Sequence, residues 1–267
     1  MPRARSPKWS SDCSSGSAIE IQRVRYLVIS DVHANLEALE AVLTAAGTVD
    51  HVLALGDFVG YGADPNAIVD RVRRFPAVTV IRGNHDKVAV GLDSTEGFNY
   101  LARHAIVWTG QTLTPENREW VAALPQGPAQ VDGDVEICHG APFDEDVYLF
   151  DDLDATRAFR ATTRPLCLFG HTHVPTAFRF GTQVQTVGPV RGDSYTIRLD
   201  QSARYLVNCG AVGQPRDGDP RAAFGILDTA TYTLTIRRVA YDVAAAQARI
   251  IAAGLPEVLA QRLAVGR

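Results

Sequence analysis

The sequence predicts a single α/β domain in which two β-sheets pack together with helices outside. Short apolar runs alternate with helical patterns between residues 25 and 125, as in β-α-β units. Strand-like runs dominate the second half in numbers sufficient for another sheet. No linker, repeat or composition break divides residues 25–267. The chain has 267 residues, 46% hydrophobic and 21% charged, an ordinary globular composition with ample material for a core.

Each element follows from a local pattern. RYLVIS (25–30) is a short apolar run suited to a buried strand. Asn35 stands where a helix cap belongs, and Leu36, Leu39, Val42 and Leu43 then recur at helical spacing until Gly47. HVLAL (51–55) is the second strand, AIVDRVRRF (67–75) a helix ending at Pro76, and VTVIR (78–82) the third strand. Helices follow at 98–113 and 115–124, the second capped by Thr114 with Pro115 in its first turn. VEIC (135–138), LCLF (166–169), TAFRF (176–180), SYTIRL (194–199), RYLVN (204–208), AFGIL (223–227) and TYTLTIRRV (231–239) read as strands. The last two read as a hairpin turning through Asp228-Thr229-Ala230, and helices at 243–253 and 256–265 end the chain. Residues 87–130 and 141–165 are expected to supply the loops that cap the site.

Several classes of protein are disfavoured. Lys+Arg is 26 against Asp+Glu 30, a formal charge of −4, so no broad basic field exists for stable nucleic-acid or anionic-membrane binding. No apolar stretch reaches the ~18–20 residues of a membrane span. Four cysteines without a CxxC pair make neither a disulfide framework nor a cysteine zinc site. Cys138 and Cys167 read as buried thiols, Cys13 falls in a tail, and Cys209 follows a strand near the site. Residues 1–24, rich in Ser, Arg and Pro at their start and without the apolar core of a secretory signal, read as a disordered tail; a cytoplasmic location is expected.

Five segments share one grammar, an apolar strand followed by metal-type donors. They are YLVIS-Asp31-Val32-His33, VLAL-Gly56-Asp57, VTVIR-Gly83-Asn84-His85, VEIC-His139-Gly140 and LCLF-Gly170-His171-Thr172-His173. Strand carboxyl ends are where α/β proteins build sites. A lone DxH or HxH means little. Five such strand ends in one domain are different, because clustered carboxylates and imidazoles repel or lose solvation unless a cation gathers them. Mixed N/O donors suit Mn²⁺, Fe, Zn²⁺, Ni²⁺ or Co²⁺. His171 and His173, two residues apart in extended backbone, would project to one side and each meet a different ion.

DVHAN (31–35), GDFVGYG (56–62), GNHD (83–86), HG (139–140) and GHTH (170–173) resemble, in order, the five blocks of the calcineurin-like metallophosphoesterase superfamily. The stretch NCGAVGQPRDGDP (208–220) further resembles the small bacterial phosphodiesterase branch, with Cys209 and Ala211 replacing the usual Pro and Ser. The resemblance implies a four-layer α-β-β-α sandwich with two divalent ions, Mn²⁺ favoured. Asp31, His33, Asp57 and His173 would hold one ion. Asp57, as the bridge, would hold the other with Asn84, His139 and His171. It further implies hydrolysis of a phosphoric ester by a metal-bridging hydroxide, with His85 as a protonated donor to the leaving alkoxide.

The protein phosphatase and dinucleoside-polyphosphatase branch carries GDxVDRG and GNHE. Here Gly60 replaces the aspartate that orients the histidine, and Tyr61 replaces the phosphate-gripping arginine. Losing a bidentate guanidinium weakens the grip on a dianion, so phosphodiesters are favoured over phosphomonoesters. A small phosphate ester is the expected substrate, nucleotides among them. Arg216 and Tyr61 are further candidate contacts, although Arg216 could equally pair with Asp217 or Asp219, and Asn35 could touch substrate or only cap its helix. A non-catalytic protein-binding scaffold of the same fold is the alternative outside enzymes, but scaffolding does not need the retained donors.

Overall fold

The computed structural model describes residues 23–188 and 190–267. The tail expected over 1–24, with Cys13, lies outside the described residues except for positions 23 and 24. The elements run β1 (Arg25–Ile29), α1 (Leu36–Ala46), β2 (His51–Ala54), α2 (Pro65–Arg73), β3 (Val78–Val80), α3 (Asn84–Ala89), α4 (Tyr100–Thr112) and α5 (Pro115–Ala122). Next come β4 (Ala129–Gln130), β5 (Val135–Ile137), α6 (Asp152–Ala161), β6 (Leu166–Phe169), β7 (Thr176–Phe180) and β8 (Val184–Val187). The chain closes with β9 (Ser194–Arg198), β10 (Arg204–Asn208), β11 (Ala222–Asp228), β12 (Thr233–Val239), α7 (Val243–Ala252) and α8 (Glu257–Leu263).

Two mixed six-stranded sheets result, in the orders β3-β2-β1-β11-β12-β9 and β4-β5-β6-β10-β7-β8. Strand period decides how they stack. In β1, Tyr26 and Val28 point between the sheets, while Leu27 and Ile29 point at the helices, so both faces are buried. The inter-sheet layer continues through Leu53, Leu55, Ile81, Leu166, Leu168, Val207 and Leu234. On the outer face of the first sheet, Ala38, Leu39 and Val42 of α1 and Ile68, Val69 and Val72 of α2 form one stripe. On the outer face of the second, Ala155, Ala158 and Phe159 of α6 pack on Cys167, Phe169, Phe178 and Leu206. The four layers are therefore helices, sheet, sheet, helix. Cys138 and Cys167 are free and buried, with sulfurs 3.6 Å apart. No helix among the described residues is long and apolar enough to cross a membrane.

The strands expected from the sequence form with ends that differ by no more than two residues. Two helices were not expected. Asp151 caps α6 by accepting from the Leu153 and Asp154 amides, inside a segment expected to be loop. The motif GNHD begins a short helix, α3, with Gly83 as its cap.

Candidate metal centre

All five motif segments meet at one edge, where β1, β2, β5 and β6 and the segment after β3 end. Backbone bonds hold the loops together. The amides of Asp31, His33 and Ala34 donate to the carbonyls of Gly56, Asp57 and Phe58 at 3.1, 2.9 and 2.8 Å. Within the second sheet the Gly170 amide donates to His139 O at 2.7 Å, and across the sheets the Gly213 amide donates to Asp31 O at 2.9 Å. The turns are strained. Asp31, His33, Asp57, His171 and His173 have φ of +54°, +47°, +54°, +66° and +60°, a region L-residues disfavour. Strain of this kind collects at functional sites when the surrounding structure enforces it. It also corrects the extended backbone expected through 171–173, since both histidines sit in left-handed turns.

Hydrogen bonds fix which nitrogen of each imidazole faces the cluster. His33 Nδ1 donates to Val59 O (3.1 Å), His173 Nδ1 to Gln214 O (2.6 Å) and His139 Nδ1 to Leu55 O (2.8 Å), leaving each Nε2 pointed inward. His171 is reversed: its Nε2 donates to Asp146 O at 3.2 Å, which leaves Nδ1. The inward atoms crowd. His33 Nε2 and His173 Nε2 are 3.1 Å apart, His173 Nε2 is 3.2 Å from Asp31, and Asp57 Oδ2 is 3.6 Å from His33 Nε2 and 3.3 Å from His139 Nε2. Asn84 Oδ1 approaches His139 Nε2 at 3.2 Å. The donors fall into two buried groups that share Asp57: Asp31, His33, Asp57 and His173, and Asp57, His139 and His171.

The electrostatics require positive charge there. Burial alone would raise both carboxyls, but the surrounding imidazoles hold Asp31 and Asp57 well below the usual range. Burial draws His33 and His173 down, and His171 to about 3. Burial also opposes protonation of His139, yet the Asp57 carboxylate beside it holds it up at about 10. Asp31 and Asp57 are thus held as carboxylates in a buried cluster. Asp57 Oδ1 accepts from the His85 amide at 2.8 Å, while its Oδ2 has no hydrogen-bond partner among the described residues. Facing imidazole nitrogens 3.1 Å apart and a buried carboxylate oxygen without a hydrogen-bond partner among the described residues fit bound cations.

A residue without an assigned role in the sequence reading organises this edge. Asp86 is fully buried; its Oδ1 accepts from the Phe58 and Val59 amides at 2.9 and 3.2 Å and its Oδ2 from the Gly83 amide at 2.9 Å. It thus ties the turn carrying Asp57 to the start of α3, which carries Asn84 and His85. Burial and the Asp57 charge push its carboxyl up to about 7, against those amides. Its signal was the fourth letter of GNHD, lying three residues past a helix cap. Gly83 lets the parts close: a Cβ there would lie 2.1 Å from Asp57 Oδ1. Asn208 was also missed; its amide donates to Gly170 O at 2.7 Å and steadies the GHTH turn.

His85 lies among His33, Tyr61 and Phe98, with ring centroids 4.8, 4.6 and 4.6 Å away. Its Nδ1 has no partner among the described residues. Burial, helped by the Arg216 charge and opposed by Asp57, draws it down to about 4. Burial thus disfavours the imidazolium form that a standing proton donor needs. Tyr61 is buried and packs edge-on against His33 at 4.8 Å. Burial pushes its hydroxyl up, opposed by the Arg216 charge and helped by that of Asp57. Arg216 donates to the Tyr61 hydroxyl and to Gln214 Oε1, each at 3.3 Å. It does not take the acids beside it, because Asp217 pairs with Arg238 and Asp219 with Arg221. Asn35 is committed within the protein: Oδ1 caps α1 and Nδ2 donates to Gly213 O at 2.9 Å and the Tyr241 hydroxyl at 3.3 Å. Cys209 lies in the inter-sheet core rather than at the site.

Comparison with known proteins agrees with this geometry. A family model described as the calcineurin-like phosphoesterase superfamily domain matches residues 24–232. The chain belongs to that superfamily. It is 41% identical to the metallophosphoesterase from Sphaerobacter thermophilus, with a TM-score of 0.80 over 92% of this chain and 100% of that one. An uncharacterised protein of Methanocaldococcus jannaschii is 36% identical over 247 residues, 90% of this chain and 97% of its own. A hypothetical protein from Pyrococcus horikoshii shares the fold at TM-score 0.73 and 20% identity, over 91% of this chain and 99% of that one. Family and buried His/Asp cluster together make this phosphoesterase a metal-binding hydrolase fold with its donors in place.

Proposed function

We propose that this phosphoesterase hydrolyses phosphodiesters with two divalent cations, manganese favoured. One would be held by Asp31, His33, Asp57 and His173, the other by Asp57, Asn84, His139 and His171. When bound, such cations supply Lewis acidity, lowering the pKa of water and neutralising phosphoryl charge. The protein's own groups do the rest. Asp57, fixed through Oδ1 by the His85 amide, has Oδ2 without a hydrogen-bond partner among the described residues and would be the donor common to both ions. Positioned imidazoles lose little orientational freedom as they bind. His85 presents a ring nitrogen to the leaving oxygen. A neutral imidazole carries one N–H, and an approaching anionic phosphoryl group raises its proton affinity.

The diester preference rests on one observation, at positions 60 and 61. A Cβ on Gly60 would lie 2.4 Å from His85 Nδ1, so the ring takes the space that an orienting carboxylate would need. Tyr61 offers no guanidinium of its own; Arg216 donates to its hydroxyl, and the Arg262 guanidinium lies over its ring at 5.9 Å. Without a bidentate guanidinium at position 61, the grip on a dianionic monoester is weaker, which suits a monoanionic diester better. The test compares bis(p-nitrophenyl) phosphate with p-nitrophenyl phosphate in Mn²⁺. The diester is expected to show the higher kcat/KM, and a large monoester preference rejects the proposal.

A further inference from the structure

The segment between His139 and α6 displays aromatic rings beside the candidate metal centre. Tyr148 stacks on His171, with ring centroids 3.9 Å apart and planes 20° apart. Phe150 stacks on Tyr148 at 5.2 Å and 9°. Leu149, between them, is buried in the core around α6, so its neighbours project the other way, and Tyr148 and Phe150 remain 41% and 64% exposed. Tyr100 and Phe143 are exposed too, but Tyr148 and Phe150 are stacked into one contiguous apolar patch, the kind of exposure that marks a binding surface.

The backbone that carries them is held firmly. Lys87, largely buried, reaches Asp146 at 2.6 Å and Glu145 at 3.2 Å, and Arg82 reaches Glu145 at 3.0 Å. Ala141 and Asp144 exchange backbone bonds at 3.0 and 3.1 Å. The Asp146 carbonyl receives the His171 N–H, so the platform and a metal donor share one support. Rings displayed on a fixed loop are preorganised for a flat ligand. Tyr61 cannot serve in this way, because its ring is buried against His33 and His85.

We propose that Tyr148 and Phe150 form a stacking platform for a planar aromatic group, such as a nucleobase, esterified to the phosphate held at the metal centre. The occupant follows from continuity: the ladder starts on His171 and runs outward, so a group on it is one substrate arm away from the phosphoryl position. This inference rests on the phosphodiester reading and adds the substrate class.

The test uses three diesters that release the same p-nitrophenolate: the thymidine 5′-, phenyl and methyl p-nitrophenyl phosphates, with the full chain in Mn²⁺. The expected kcat/KM for the thymidine ester exceeds that for the methyl ester by about tenfold, as base–aromatic stacking allows. In Phe150→Ala and Tyr148→Leu the ratio falls to near one, and Phe150→Trp restores it. A phenyl ester that gains as much as the thymidine ester identifies any planar arm as sufficient, whereas a gain for thymidine alone identifies the nucleobase; both support the platform. A thymidine-to-methyl ratio unchanged in Phe150→Ala overturns it. Should no diester be turned over, the phosphodiester reading fails, and equilibrium binding of adenosine 5′-monophosphate then decides. Binding at least fivefold weaker in Phe150→Ala supports the platform, and equal binding overturns it. A dimer lost in Phe150→Ala by light scattering, with the ester ratio unchanged, assigns the rings to contact between copies and also overturns it.

Discussion

Replacing Asp86 tests how the site is assembled, because one carboxylate satisfies three buried amides: Phe58, Val59 and Gly83. Asp86→Ala leaves all three unpaired where water cannot reach. Each such group costs about 1–3 kcal/mol, so the ceiling is roughly 3–9 kcal/mol. That is a large share of the ~5–15 kcal/mol that stabilises a typical domain. Asp86→Asn keeps the oxygen that serves Phe58 and Val59 but turns an NH₂ toward the Gly83 amide. One bond is lost, at a cost of about 1–3 kcal/mol. Equilibrium urea unfolding of the metal-free protein, followed by tryptophan fluorescence, should rank wild type above Asn and Asn above Ala. Because the clip also sets the Asp57 turn against Asn84, Mn²⁺ affinity by calorimetry should fall about 10–100-fold even in the folded Asn variant, as for other supporting contacts around metal ligands. Ala within about 1 kcal/mol of wild type, or Asn with unaltered Mn²⁺ affinity, would refute the clip.

Gly60→Ala adds a Cβ 2.4 Å from His85 Nδ1 at a φ of +89°, so it should lose about 2–4 kcal/mol by the same unfolding assay and lower turnover without changing metal stoichiometry. The exposed Asp200 carboxylate is held down at about 2 by Ser202 and Arg179, below its unfolded value. Its contribution is therefore full above about pH 4 and lost as pH falls toward 2, and Asp200→Asn should flatten the decline of Tm over that window. In a Cys13→Ser background the native protein should titrate no thiol with a disulfide reagent and three after denaturation, because Cys138, Cys167 and Cys209 are buried and free.

Much of the site was legible because each donor follows an apolar run that can only be a buried strand, and strand ends meet at one edge. Pattern alone could not supply the backbone conformation. The strain at Asp31, His33, Asp57, His171 and His173 arises from cross-loop bonds such as His33 N to Asp57 O, which join residues distant in sequence. Helix α3 escaped because Asn84, His85, Asp86 and Lys87 are buried polar residues with no apolar period to read. Helix α6 escaped because two of its three buried positions, Ala155 and Ala158, are small. The burial of His85 was not legible, because only the packing of Tyr61 and Phe98 around it reveals it.

The central claim is that two cations share Asp57. Calorimetric titration of the metal-free protein with Mn²⁺ measures it directly. Two ions per chain are predicted for the wild type. Asp57→Asn should weaken both, while His139→Ala should weaken one and spare the other. A chain that binds no Mn²⁺, or an Asp57→Asn variant that still binds two ions with unchanged affinity, would contradict the account.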